Sequence, residues 1–312
     1  MAESSYQRQA KATTDWMIAR IETALETGEK LTWAHGHDLG LPRNFATGRY
    51  YRGWNVFRCW MAGFERPLFV GLRQVVKLGG RVRREEMTRP TWIMLWNRRE
   101  VDDGTDKYGA KKTRSYWYSK ALKVYNVAQC DGLDESKFAT LKEAEGAEHD
   151  AELDAFFGAY ADADGLKVKY EAEMPFSCYV PELDEVRMPP RASFYGTTKF
   201  YGELAHEFVH ATGADKRLKR GDFGMGWESY SKEELVAEFG AAILAAVLGF
   251  EVESEKENHA AYLRGWLTRL KDDPTLLCSA ASAAQKAVDR IMEKAGHAVP
   301  AFVGEGDADA DA

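Results

Sequence analysis

FYGELAHEFVHATG, residues 200–213, decides the fold of the C-terminal half of this chain. Its apolar residues recur at helical spacing, and Gly213 stands where a helix would end in the left-handed conformation, so the pattern predicts a buried helix. On that helix His206 and His210 lie one turn apart on one face, where both imidazoles can bind a single divalent metal ion. Glu207 can then accept a proton from the metal-bound water, which is the chemistry of a metal-assisted hydrolase.

A catalytic metal site needs a third protein ligand, and SKEELVAE at 231–238 offers two candidates. Glu234 and Glu238 are four residues apart and therefore share one face of a helix that the apolar run FGAAILAAVLGF continues. One carboxylate can bind the metal while the other accepts a hydrogen bond from a ligand histidine. Ser231 and Glu234 also have the spacing of a capping box, and in that alternative Glu238 is the ligand.

The glutamate spacing resembles the Glu-x-x-x-Asp pattern of gluzincin zinc peptidases, with Glu in place of Asp. That resemblance implies that Glu234 is the third ligand and that Glu238 orients a histidine. The chain is thereby identified as a candidate zinc-dependent metallopeptidase. Its expected cofactor is Zn²⁺, with Mn²⁺ as another divalent candidate.

The net charge of −7 hides an asymmetry between the two halves of the chain. Residues 1–135 hold 23 Lys and Arg against 16 Asp and Glu, whereas the remainder holds 19 against 33. A basic half rich in Trp and Tyr is typical of proteins that grip single-stranded nucleic acid, although a solvated basic face is the simpler alternative. For Trp54, which leads an apolar run, a core position is as strongly indicated as a base contact. The candidate contacts are Trp33, Arg49, Tyr50, Tyr51, Arg52 and Trp54.

Composition restricts the environment in which we expect the protein to work. No run of 18 apolar residues and no signal-peptide pattern is present, so we expect a cytoplasmic protein without a membrane partner. The four cysteines are widely scattered, which argues against a disulfide framework and against a thiolate metal site.

Periodicity and turn residues predict an α+β protein. The expected elements of the first half are a helix over 6–28, a short helix ending at Gly79–Gly80, and strands that flank a polar, exposed hairpin tip at 99–114. For the second half, the pattern predicts strands and then the helix that carries His206 and His210, called the metal helix below. Two helices over 257–293, broken at Asp273–Pro274, are expected to follow. The expected divisions are a DNA-binding domain at 1–135, a linker and connecting helix at 136–165, a metallopeptidase domain at 166–303, and a disordered acidic tail at 304–312.

Six stretches carry a family resemblance, and they run in order through most of the chain. They are TGRYYRGWN at 47–55, VYNVAQCDGL at 124–133, YVPELDEVRMP at 179–189, FYGELAHEFVHATGADKRLKR at 200–220, EELVAEFGAAIL at 233–244 and ENHAAYLRGWL at 257–267. Together they resemble the plasmid-borne antirestriction proteins of the ArdC family. One departure is RREEM at 83–87, where family members usually have a Lys-Gly-Glu-Lys-Gly-like turn, so the basic residues that meet DNA are differently placed.

The resemblance implies an N-terminal domain that binds single-stranded DNA and a C-terminal zincin-like metallopeptidase domain. The implied function is antirestriction, in which the protein shields incoming DNA from host restriction. Further candidate partners are host restriction enzymes and DNA-bound proteins. One alternative is a DNA-directed metalloprotease that cleaves DNA-associated proteins, and another is a metallopeptidase unrelated to nucleic acid.

Overall fold

A computed structural model describes most of the chain. The described residues are 5–27, 41–105, 111–134, 150–172, 174, 176–194, 197–220, 227–250, 267 and 270–300. Trp33, the linker at 136–149, most of the first helix predicted within 257–293 and the acidic tail lie outside them. Among the described residues, no helix combines the length and the apolar character needed to cross a bilayer.

The N-terminal half combines helices with a four-stranded sheet. Helix α1 matches the helix predicted over 6–28, and α3 matches the one predicted before Gly79–Gly80. The sheet has the strand order β1-β2-β5-β4, and β3 pairs with β6 in a separate two-stranded ribbon. The elements are α1 Ser5–Thr27, β1 Arg43–Asn44, α2 Trp54–Trp60, β2 Leu68–Gly71, α3 Leu72–Lys77, β3 Arg81–Val82, β4 Thr91–Thr105, β5 Lys111–Asn126 and β6 Cys130–Asp131.

Strands β4 and β5 form a long antiparallel hairpin. Their register runs from Thr91 opposite Val124 to Thr105 opposite Lys111, with an irregularity between Asp102 and Thr105. Most of the polar segment 99–114 is therefore paired strand. The prediction that this whole segment is an exposed hairpin tip was wrong, because the tip is shorter. Backbone hydrogen bonds hold an antiparallel ladder, so a polar sequence can extend it beyond the apolar core.

The C-terminal half stacks helices on a three-stranded sheet of order β7-β9-β8. Strands β7 and β9 are parallel, and β8 pairs antiparallel with β9 and forms an edge of the sheet. Helix α5 contacts β8 and β9 on one side and α6 on the other, while α7 packs against α6 and α4. The elements are α4 Asp150–Asp164, β7 Lys167–Tyr170, β8 Cys178–Val180, β9 Glu185–Met188, α5 Thr197–Ala211, α6 Trp227–Leu248 and α7 Leu276–Lys294.

The largest apolar core crosses from one half of the chain to the other. It includes Trp54, Phe57 and Trp60 from α2 together with Phe239 of α6 and Ala281 of α7. The rings of Phe57 and Phe239 stack with their centroids 4.0 Å apart. The α+β prediction is confirmed, and the helix that follows the metal helix contributes Phe239 to the contact between the two halves.

A buried ion cluster fixes the loops around α5. The Arg217 side chain is 1% exposed and donates to the carboxylates of Asp164 at 2.7 Å and Asp184 at 2.5 Å. Asp184 also accepts from Tyr179 Oη at 2.8 Å and pairs with Lys216. Burial alone would raise the pKa of Asp184, but these donors outweigh it and lower the pKa to about 2.

This shift makes part of the folding stability depend on pH. Because the folded pKa of Asp184 lies below its unfolded value, its contribution is present above about pH 4 and is lost as the pH falls through about 2. The shift corresponds to about 2 kcal/mol at neutral pH. In urea unfolding, the gap in free energy between wild type and Asp184→Asn should narrow as the pH falls from about 5 to about 2. A gap that stays constant over that range would contradict the assignment.

Candidate metal centre

Helices α5 and α6 bring together three side chains that could hold a metal ion. The Nε2 atoms of His206 and His210 lie 3.0 Å apart. Glu234 Oε2 lies 3.5 Å from His206 Nε2, and Glu234 Oε1 lies 3.4 Å from His210 Nε2. One donor atom from each residue falls within 4.8 Å of the others.

The spacing of these donors fits a metal ion. Bonds of about 2.1 Å in a tetrahedral sphere place neighbouring ligand atoms about 3.4 Å apart, close to the three distances observed. Two imidazoles and one carboxylate are ligands that Zn²⁺ and other divalent transition metals accept. Among the described residues, this set of three leaves the fourth position of a tetrahedron available.

The close approach of α5 and α6 depends on a glycine. A Cβ atom built on Gly240 would lie 2.6 Å from Cγ2 of Val209, a distance that real Cβ contacts do not reach. Any larger residue at 240 would therefore push α6 away from α5. Since Glu234 is carried by α6 and Val209 precedes His210, this contact helps to set the distance between carboxylate and imidazole.

The geometry distinguishes the two glutamates that the sequence left open. Glu234 faces both Nε2 atoms, whereas Glu238 is half exposed and lies 3.9 Å from Nδ1 of His206, on the other edge of that ring. Helix α6 begins at Trp227, so Ser231 and Glu234 both lie inside the helix. Ser231 is not at the N-cap, and the capping-box alternative for Glu234 does not apply.

Glu207 lies beside these donors and is 7% exposed. Burial raises the pKa of its carboxyl, an effect that His206, His210 and a hydrogen bond from the backbone N–H of Tyr179 partly oppose. Glu207 is not in the donor group. A buried carboxyl with a raised pKa, next to a metal site, is suited to exchanging protons.

Sequence reasoning missed Glu233. Its carboxylate is buried, lies 3.5 Å from Nδ1 of His210, and makes a two-pronged ion pair with Arg220. Burial would lower the pKa of His210, but the nearby carboxylates of Glu233 and Glu234 outweigh this and raise it to about 9. The Glu-Glu pair at 233–234 was the available signal, because adjacent residues on a helix point about 100° apart and can face different partners.

The predicted DNA contacts lie in different surroundings. Arg49 is exposed and Tyr50 is half-buried, with the guanidinium of Arg43 6.0 Å from the Tyr50 ring centroid. Arg52 is exposed and donates to Asp289 of α7 at 2.6 Å. Of these three predicted contacts, Arg49 and Tyr50 are therefore the better candidates for reaching DNA.

Tyr51 and Trp54 are core residues, at 0% and 6% exposure. Tyr50 bridges to Arg43 in extended backbone, so the side chain of Tyr51 points the opposite way, into the sheet core. Trp54 begins α2 and packs next to Phe57. Neither ring offers a face to a base, so the predicted stacking role of these two residues is withdrawn.

An exposed aromatic residue that was not predicted lies on β4. Trp92 is 45% exposed, and Lys123, its partner in register on β5, holds its ammonium 5.0 Å from the ring centroid. Ile93 is buried on the opposite face. Strand alternation from Thr91 onward was the signal that could have identified Trp92.

A helix carrying His-Glu-x-x-His, packed on a small sheet and followed by a helix with a third candidate ligand, is the arrangement of a zincin-like metallopeptidase domain. Family models agree on both halves. Residues 152–283 match a zincin-like metallopeptidase, and residues 7–127 match the N-terminal domain of the anti-restriction factor ArdC. The chain belongs to the ArdC family of antirestriction proteins, which confirms the resemblance.

Two solved structures are similar over nearly the whole chain. The metal-free crystal structure of antirestriction ArdC from the R388 plasmid is 34% identical, covers 92% of this chain and 97% of that one, and has a TM-score of 0.72. The Mn(II)-bound structure of that protein is 33% identical, covers 94% and 98%, and has a TM-score of 0.68.

Curated relatives include one of similar length and one much longer protein. The uncharacterized protein y4eC of Sinorhizobium fredii is 29% identical over 88% of this chain and 89% of its own length. The DNA primase TraC of Escherichia coli is 29% identical over 83% of this chain, but the match spans only 25% of TraC.

Proposed function

We propose that this protein binds single-stranded DNA entering a cell, protects it from host restriction and carries one divalent metal ion per chain. The observation that carries the proposal is the convergence of His206, His210 and Glu234 in a chain that matches an antirestriction protein over 92% of its length. The proposed place of action is the cytoplasm, because restriction acts on DNA that has entered the cell.

Zn²⁺ is the first candidate for the metal, because two imidazoles and a carboxylate form a typical catalytic zinc set. Mn²⁺ is the second, supported by the Mn(II)-bound structure of the R388 protein. When bound, the ion supplies Lewis-acid chemistry, polarising a carbonyl and acidifying a water molecule. His206, His210 and Glu234 would hold it.

The residues around the metal support a second candidate function, a DNA-directed metalloprotease. The observation in its favour is the buried carboxyl of Glu207, whose pKa is raised beside the donor group. In that function Glu207 would accept a proton from the attacking water and would return it to the leaving amine. Tyr179 holds the carboxylate of Glu207 through a backbone N–H and lies on β8, an edge strand of the sheet.

The N-terminal half supports the DNA part of the proposal through the exposed Arg49 and the half-buried ring of Tyr50, which has the guanidinium of Arg43 6.0 Å from its centroid. Arg49 can neutralise a phosphate while Tyr50 offers part of its ring to a base. Trp92 and Lys123 present a second exposed pair of the same kind. Bases in a single strand have free faces, whereas duplex bases are already stacked, so stacking favours single strands.

The test is DNA affinity of the full-length chain, measured by fluorescence anisotropy at two salt concentrations. Single-stranded oligonucleotide should bind more tightly than duplex, and affinity should fall as salt rises. Tyr50→Ala should weaken binding about tenfold, because one stacked base is worth about 1–3 kcal/mol. Phe176→Ala, which removes an exposed ring from the other half of the chain, is the matched control. Equal affinity for single strands and duplex would contradict the proposal.

A further inference from the structure

We propose that Arg220 and Glu233 form a positioning pair that orients His210 toward the metal. The inference rests on the proposed metal centre and adds two residues that do not touch the ion. It assigns to Glu233 the role that sequence analysis gave to Glu238.

One guanidinium joins the end of α5 to α6. Arg220 donates from Nε to Glu233 Oε2 at 3.0 Å and from Nη2 to Glu233 Oε1 at 2.5 Å. It also donates from Nη1 to Thr212 Oγ1 at 2.6 Å and from Nη2 to the carbonyl of Val209 at 2.7 Å. Such forked geometry fixes the acceptor in direction as well as in position.

The Glu233 carboxylate held in this way faces the Nδ1 atom of the His210 ring. Glu233 Oε1 lies 3.5 Å from Nδ1 of His210. Among the described residues this buried nitrogen has no partner at full hydrogen-bond geometry, so the adjacent carboxylate is its nearest charged acceptor. A proton on Nδ1 leaves the lone pair of Nε2 free, and Nε2 is the atom that faces His206 and Glu234.

Burial favours Glu233 over Glu238 for this role. The side chains of Glu233 and Arg220 are 9% and 11% exposed, whereas Glu238 is 46% exposed and lies farther from its ring, at 3.9 Å. A buried charge-assisted contact is stronger than a solvated one, and Arg220 compensates the cost of burying the Glu233 carboxylate. The loop that carries Arg220 thereby becomes part of the metal centre.

The test is Zn²⁺ affinity of the full-length protein, measured by competition with a chromophoric chelator at fixed pH. Glu233→Gln and Arg220→Met should each weaken binding about 10- to 100-fold. Arg220→Lys should recover part of the loss, because a lysine keeps the charge but not the fork. Glu238→Gln, the matched change on the same helix, should weaken binding less than about threefold, since its contact is longer and solvated.

Two further measurements separate positioning from general destabilisation. Visible absorption of the Co²⁺-loaded variants should change for Glu233→Gln, because the imidazole orientation changes. Phe69→Ala, which removes a buried ring from the sheet core of the N-terminal half, should keep the affinity and spectrum of wild type. Wild-type affinity in Glu233→Gln, or an equal loss in Glu238→Gln, would overturn the positioning role alone. Absence of Zn²⁺ binding by wild type would overturn the proposed metal centre as well.

Discussion

His206→Ala is expected to lose the bound metal, whereas Glu207→Gln is expected to keep it and to lose hydrolysis. An alanine removes one of three ligands, and the remaining histidine and glutamate cannot hold a catalytic divalent ion tightly. Glutamine retains the size of Glu207 but cannot take a proton from water, and loss of a general base costs about 10²- to 10⁴-fold in rate. The measurements are metal content per chain after dialysis and cleavage of a casein substrate.

The pair of variants separates the two candidate functions. If Glu207→Gln still protects and binds single-stranded DNA while cleavage is lost, antirestriction does not need hydrolysis. If protection disappears together with cleavage, the metalloprotease candidate is favoured. Full cleavage by Glu207→Gln would exclude its role as general base, and stoichiometric metal in His206→Ala would exclude the ligand set.

The spacing of residues along one helix was sufficient to predict the two histidines of the candidate site. His206 and His210 are on one helix, so their convergence follows from 3.6 residues per turn and needs no tertiary information. Glu234 is on another helix, and its selection over Glu238 depends on the rotation and approach of α6. The contact between Gly240 and Val209 belongs to that packing and has no signature in local periodicity.

The pairing of Arg220 with Glu233 could not be predicted from the sequence for a related reason. Arg220 follows α5 in sequence and reaches Glu233 only because α5 and α6 pack against each other. A pattern of charges along one helix does not contain such a partner. The helical nature of residues 200–211 was predictable, whereas the surroundings of the second nitrogen of His210 were not.

Aromatic residues of the basic half show the limit of composition as a guide. Composition marks Tyr50 and Tyr51 equally, but the extended backbone places their side chains on opposite sides and buries only Tyr51. Trp54 was open between core and contact, and α2 buries it. Trp92 needed the strand register before its exposure could be seen.

Phe239→Ala is expected to destabilise both halves of the protein, not only the half that contains it. Phe239 is 3% exposed and stacks on Phe57, so removing its ring leaves a cavity where α2 meets α6. Such truncations cost about 3–5 kcal/mol. Urea unfolding followed by far-ultraviolet circular dichroism and by tryptophan fluorescence should shift to lower urea by the same amount with both probes, because tryptophans of α2 share the core with α6.

Phe176→Ala, which removes a ring that is 62% exposed, should stay within about 0.5 kcal/mol of wild type. A loss below about 1 kcal/mol for Phe239→Ala, or a shift confined to one probe, would mean that the two halves are stabilised separately and that Phe57 and Phe239 do not link them.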